Sequence, residues 1–313
     1  MAQNAPAVTA ERKPKKQRQS QFSGMSKALI RRETISAYLF LLPSLIFFVG
    51  FVVVPMVMCV VYSFLDMGLD VSSATFIGLG NYIEMFQDKV FLKGLLNTAI
   101  IVVVAVPTVT AFSLWVSSAI YQMKPVSRSF FRCVFYLPVV TGTVAVTVVW
   151  KWMFNTYNGL INQVFGTSTN WLGNEMTAIW CIILILFTTS IGQPIVLYVA
   201  ALGNVDKSLE EAAAIDGATR LQIFWKIKWA QIMPTTLYVL VITTINSFQC
   251  FALIQLLTRG GPLGTTSTLM YYIFDMAYNY QRFGYANAMG VVLAIFIAIF
   301  SAIQFKVAQS DNG

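Results

Sequence analysis

The sequence predicts an all-α polytopic membrane protein with six transmembrane helices and both termini cytoplasmic. Composition is the first observation. Of the 313 residues, 57% are hydrophobic and only 11% are charged, against roughly 25% charged in soluble domains, and mean hydropathy is +0.68. Secondly, six segments near 36–63, 95–120, 132–153, 176–202, 234–257 and 284–306 reach the roughly 20 apolar residues that a spanning helix needs. The third observation is charge placement. With the N-terminus inside, roughly 16 of the 21 Lys and Arg residues fall on the cytoplasmic side, the polarity that basic residues follow in membrane proteins.

In chain order, residues 1–33 read as a disordered basic cytoplasmic tail, with a basic run between Arg12 and Arg32. The apolar segment after it is too long for the h-region of a cleavable signal peptide and lacks a small-residue cleavage site. Residues 34–309 form the transmembrane domain. Pro43, Pro55, Pro107, Pro138 and Pro194 fall inside predicted spans, where neighbouring helices can satisfy the freed backbone groups. Lys151 stands between Trp150 and Trp152 at a predicted outer edge, so its ammonium reaches the interface.

Several function classes are disfavoured by what is missing. Histidine is absent and no CxxC pair occurs among Cys59, Cys133, Cys181 and Cys250, so no metal site and no His-based catalytic residue is expected. A membrane hydrolase lacks its base. An ion-coupled carrier commonly places a carboxylate near midplane, and none stands there. No GxxxxGK[ST] phosphate loop occurs, so ATP hydrolysis by that route belongs to another chain. The net charge of +8 is a topology signal, with no nucleic acid implied.

The loop 203–233 predicts two short helices with a corner. Ser208 and Glu211 have capping-box spacing, Glu-Ala-Ala-Ala favours helix, and Gly217 suits the left-handed residue that ends one. Thr219 and Gln222 repeat the box. Leu221, Phe224, Trp225 and Ile227 then interleave with Lys226 and Lys228, an amphipathic pattern. On local pattern alone, an interfacial hairpin without further role fits equally.

In register, however, Glu211, Ala212, Ala213, Asp216, Gly217, Ala218, Phe224, Ile227 and Pro234 match EAAxxDGAxxxxxFxxIxxPxxxP. The segment thus resembles the EAA motif of ABC importer permeases. Ala230 stands where the first proline is usual. Phe76-Ile-Gly-Leu-Gly-Asn-Tyr82, Phe131-Arg with Leu137-Pro138 and Trp150-Lys-Trp152, and Leu257-Thr-Arg-Gly-Gly-Pro262 resemble carbohydrate permeases of the maltose and glycerol-phosphate type, from about Tyr38 to the last span. The resemblance implies a type I importer fold in the bacterial plasma (inner) membrane, and a loop whose Glu211, Ala212, Ala213, Asp216, Gly217, Ala218 and Phe224 dock onto an ATPase. It also implies a second homologous permease, two ABC ATPase subunits that use ATP and Mg, and an extracytoplasmic solute-binding protein. No cofactor is expected on this chain. Permeases for amino acids or peptides are the alternative.

For the substrate pathway, Thr243, Asn246, Ser247 and Cys250 recur at i, i+3, i+4 and i+7, one face of a helix, with Gln249 beside it. Hydroxyl and amide groups suit a neutral polyhydroxylated solute, or they hold helices together. The maltose-type resemblance adds Thr143 and Gly192. It also implies aromatic rings where this chain has Asn246 and Ile195, which speaks against maltose and leaves another oligosaccharide, a polyol or a glycerol phosphate derivative. The outer stretch around Tyr157, Trp171 and Tyr271–Tyr280 is either a face for the binding protein or an interfacial aromatic belt.

Overall fold

The computed structural model describes residues 27–310. The predicted tail 1–33 lies outside the described residues up to 26, and from Lys27 onward the chain is already helical. Two units are distinguished, 1–58 and 59–313. In the first, α1 (Lys27–Phe48) passes into a wide π turn, Val49–Val53, and on into α2 (Val54–Tyr62). Pro55 has no N–H to offer, and the ladder shifts register so that Val54 N–H reaches Val49 O. A π-bulge is a usual way to absorb such a loss.

The second unit is organised along α4 (Lys89–Tyr121), which follows the short α3 (Gly80–Gln87). Asp88 caps α4 by accepting the Val90 N–H at 2.8 Å. Its 33 residues extend about 50 Å, beyond the ~30 Å hydrocarbon core. Apolar residues at three- and four-residue spacing, among them Phe91, Ile101, Ala105, Val109, Val116 and Ile120, are buried. They enter three successive core clusters, and a fourth packs on Leu114 and Tyr121. One helix therefore supports the core of the second unit.

Around it lie α5 (Pro125–Val140), α6 (Thr143–Met153), α7 (Leu160–Phe165), α8 (Ala178–Ser190), α9 (Gly192–Gly203), α10 (Lys207–Ile215) and α11 (Arg220–Ile223). A π segment, Phe224–Lys228, leads into α12 (Trp229–Phe248), followed by α13 (Ala252–Leu257), α14 (Leu269–Phe274) and α15 (Phe283–Ser310). Helix α4 packs mainly on α8, α9 and α12, and α12 also packs on α15. A two-residue ladder, Leu65–Asp66 with Thr75–Phe76, is the β structure among the described residues. Buried Asn81 secures it, its amide donating to Ser63 O and Leu65 O at 2.9 Å each.

Among the described residues, four helical runs are long and apolar enough to cross a membrane, and up to six if each bent pair counts as one. One expectation is corrected here. The segment 132–153 is no single helix: α5 begins earlier, at Pro125, and meets α6 at 95°. Pro138 removes a ladder donor, and Thr141 and Gly142 take extended ψ values of 124° and 142°. The segment 234–257 stays within one apolar run, Arg220–Leu257, with a local break where α12 stops at Phe248 and α13 begins at Ala252. The 176–202 segment bends by 40° between α8 and α9.

Candidate functional site

The loop 203–233 is built by local hydrogen bonds. Helix α10 is capped by Asp206, whose Oδ1 accepts the Ser208 N–H at 2.9 Å. The expected Ser208–Glu211 box is therefore displaced by two residues, because a carboxylate accepts more strongly than a hydroxyl. Ser208 hydroxyl and backbone donors hold the Asp206 carboxyl below its usual value. At the other end Ala218 N–H reaches Ala213 O at 2.9 Å and Gly217 N–H reaches Ala214 O at 3.2 Å, a Schellman motif. Gly217 sits at φ +82° with open space beside it. Thr219 and Gln222 form the expected capping box.

From Thr219 the chain does not make a separate second helix. It runs unbroken through the π segment and past Pro234 to Phe248. With alanine at 230, no proline stops it early. Two contacts tie α10 back onto this run: Lys228 Nζ lies 2.8 Å from Glu210 Oε2, and Gln231 Oε1 accepts the Asp206 N–H at 3.3 Å. Glu211, Ala212, Asp216 and Gly217 are exposed, while Ala213, Ala218 and Phe224 are half-buried. At the apex Ile215 is 86% exposed and Leu221 72%.

The far end of the same run reaches a polar cavity of about 280 Å³. Three helix interruptions converge on it: the 95° corner at 141–142, the bend at Ile191 and the gap 249–251. Of the residues named for a substrate pathway, Thr143, Asn246, Gln249 and Cys250 line it. Thr141, Thr189, Ser190 and Gln193 also line it and escaped the sequence reading. They follow no period, although Pro138 and Pro194 beside them signal broken helices. The lining carries no acidic or basic side chain. Among the described residues, the amides of Gln193, Asn246 and Gln249 and the Ser190 hydroxyl have no hydrogen-bond partner.

Three anticipated residues sit elsewhere. Thr243 and Ser247 are buried in helix packing, 4% and 1% exposed, and outside the lining. Gly192 lies behind the cavity, where a Cβ would stand 2.4 Å from Phe135 O and 2.8 Å from Val139 Cγ2. Its absent side chain lets α5 and α9 touch.

The opposite end of the bundle is braced by side chains. Asp88 Oδ2 accepts the Tyr272 hydroxyl at 2.6 Å and the Tyr285 hydroxyl at 2.9 Å, and Arg282 forms a bidentate pair with Glu84 at 2.7 Å. Asn162 organises the segment 155–171: its Nδ2 reaches Asn155 O, Thr156 O and Thr169 O, and its Oδ1 accepts from Thr167 and Trp171. Among the described residues no group of three metal-ligating side chains occurs.

This geometry has counterparts in known proteins. A family profile described as "Binding-protein-dependent transport system inner membrane component" matches residues 76–310. The chain is 32% identical to the probable ABC transporter permease protein YesP of Bacillus subtilis, covering 90% of this chain and 92% of YesP. It is also 32% identical to the diacetylchitobiose uptake system permease protein NgcF of Streptomyces coelicolor, covering 85% and 80%. With the lactose transport system permease protein LacF of Rhizobium radiobacter it shares 29% identity over 90% and 97%. In fold it is similar to a chain of a bacterial ABC transporter involved in the import of the acidic polysaccharide alginate, with a TM-score of 0.78 at 21% identity, covering 90% of this chain and 97% of that one.

Proposed function

The chain belongs to the binding-protein-dependent inner membrane permeases of ABC importers, and from that premise we propose that it carries a neutral oligosaccharide or polyol across the membrane. It forms half of the pathway, beside a second homologous permease, and draws on two separate ATPase subunits that use ATP and Mg. A solute-binding protein delivers the substrate from outside. Six spans with both termini cytoplasmic accord with the bias of Lys and Arg.

One observation carries the reading: a single helical run joins the Gly217 corner to the polar cavity. Docked on an ATPase, the exposed surface of Glu211, Ala212, Asp216, Gly217 and Ile215 receives the movement of that subunit. The run from Thr219 to Phe248, about 45 Å long, carries that movement to Asn246 and Gln249. The unpartnered amides and hydroxyls there exchange hydrogen bonds with a polyhydroxylated solute, as they offer both donors and acceptors. Relatives named for diacetylchitobiose and lactose uptake support a saccharide substrate, and the uncharged lining favours it over a glycerol phosphate derivative.

Reconstitution with the partner permease, the ATPase and the binding protein tests this. Saccharide uptake is expected to require ATP. Gly217→Trp is expected to abolish uptake while the binding protein still captures ligand. Uptake without any ATPase, or full uptake by that variant, overturns the proposal.

A further inference from the structure

We propose that the groove between the loop 203–233 and the adjoining end of α4 is a binding site for one anionic phospholipid. The proposal rests on α4 crossing the membrane, which family membership supplies, and is independent of the saccharide reading.

The head of the site is a cavity of about 930 Å³ with a surplus of positive charge. Arg128, Lys207, Arg220 and Lys228 line it against Glu210 and Glu211. The Glu210 carboxylate is already paired with Lys228. Among the described residues, no carboxylate pairs with Arg128, Lys207 or Arg220. The guanidinium of Arg128 is held in place by Nη2, which donates to Tyr121 O at 2.7 Å and Met123 O at 3.2 Å. It also lies 5.0 Å from the centre of the Tyr121 ring. Its Nη1 is uncommitted among the described residues. A fixed guanidinium with free donors, beside two exposed cations, is a phosphate-binding arrangement.

Apart from Ser118, Tyr121 and Gln122, the rest of the site is apolar. Ala111, Leu114, Trp115, Phe224 and Trp225 form the inner wall of the same cavity. Ala111 and Trp115 also line a second groove of about 620 Å³ that continues along α4 and α8 between Phe112, Trp180, Ile183 and Phe187. Thr108 is the one polar residue there, and its hydroxyl already donates to Val104 O at 2.6 Å. From Val104 to Tyr121 the two cavities follow about 25 Å of helix, close to the ~20 Å depth of one leaflet with its headgroups. A cationic mouth opening into a long apolar groove is the complement of a charged head on an acyl chain. A soluble anion has no use for the groove, and a zwitterionic lipid leaves the surplus charge unmatched. Basic pockets of this kind select anionic headgroups.

Native mass spectrometry of the assembled importer, purified with equal phosphatidylglycerol and phosphatidylcholine, tests the assignment. Retention of phosphatidylglycerol is expected to exceed that of phosphatidylcholine about 30-fold, on the scale of two unneutralised cations. Lys207→Gln with Arg220→Gln, both exposed and remote from the core, is expected to reduce that preference to about twofold. Ala111→Trp, which fills the groove, is expected to displace either lipid. Equal retention of the two lipids by the unaltered complex overturns the proposal. So does efficient cross-linking of Ala111→Cys to the partner permease in membranes, which would mean that protein fills the groove.

Discussion

Lys228 Nζ lies 2.8 Å from Glu210 Oε2, and this pair fastens α10 in the loop 203–233 to the helical run that ends at the polar cavity. Both side chains are largely shielded, 17% and 25% exposed, so the pair exceeds a fully solvated one, at about 1 kcal/mol. Without it, the 3.3 Å bond from the Asp206 N–H to Gln231 Oε1 is the weaker tie left between α10 and the run. Lys228→Ala is expected to lower substrate transported per ATP hydrolysed, with assembly intact. The swap Glu210→Lys with Lys228→Glu is expected to recover part of the loss, measured as a double-mutant cycle on coupled uptake.

Gly192 is expected to act on stability. Its Cβ position is 2.4 Å from Phe135 O and 3.1 Å from Tyr136 Cα, both backbone atoms that cannot swing aside. Gly192→Ala therefore forces α5 and α9 apart, at about 1–3 kcal/mol. Thermal unfolding in detergent should register the loss, while ligand capture by the binding protein stays unchanged.

Gln193 and Gln249 are expected to behave in the opposite way. Both are exposed to the cavity and hold no other group, so truncation leaves stability within about 0.5 kcal/mol. Gln193→Ala and Gln249→Ala should raise the KM for uptake and leave the melting temperature where it is. A lower melting temperature with unchanged KM would assign these residues to packing instead.

Asp88 confers a pH dependence. Burial pushes its carboxyl up, but the hydroxyls of Tyr272 and Tyr285 and the N–H groups of Val90 and Phe91 outweigh burial and hold it below its usual value. Glu84 is lowered too, chiefly by its bond to Arg282. Carboxyls depressed in the fold stabilise it fully above their ordinary range of about 4, and the contribution is lost as pH falls through the depressed values. The melting temperature should fall on acidification below that range, and Asp88→Asn should flatten the curve.

Asn162 is expected to control order in the segment 155–171. Its amide reaches three backbone carbonyls, and its oxygen accepts from Trp171 Nε1 at 2.7 Å. Asn162→Asp keeps the acceptor and deletes every donor. Hydrogen exchange across the segment should accelerate, with α4 and α12 unaffected.

How much was legible depended on the reach of the interactions. The Thr219–Gln222 box and the Gly217 stop involve residues at most five apart, so residue types alone reveal them. The Ser208 cap was misplaced because Asp206, two positions earlier, is the stronger acceptor. Cys250 was placed on a helix face with Thr243 and Ser247, but the helix ends at Phe248. Its freed carbonyl accepts the Thr268 hydroxyl at 3.0 Å, a partner that no periodicity announces.

The sequence by itself determined the solvent, the apolar segments long enough to cross it and the capped loop. Each of these depends on composition or on neighbours within a turn or two. Only the tertiary structure decided that the helices break at 141–142, 191 and 249–251 and that the breaks meet in one uncharged cavity. The physical reason is that an interrupted helix leaves backbone groups without partners, and within a membrane they are tolerated only where other helices or a polar cavity receive them. That condition is met by residues far apart in the chain, so no local pattern carries it.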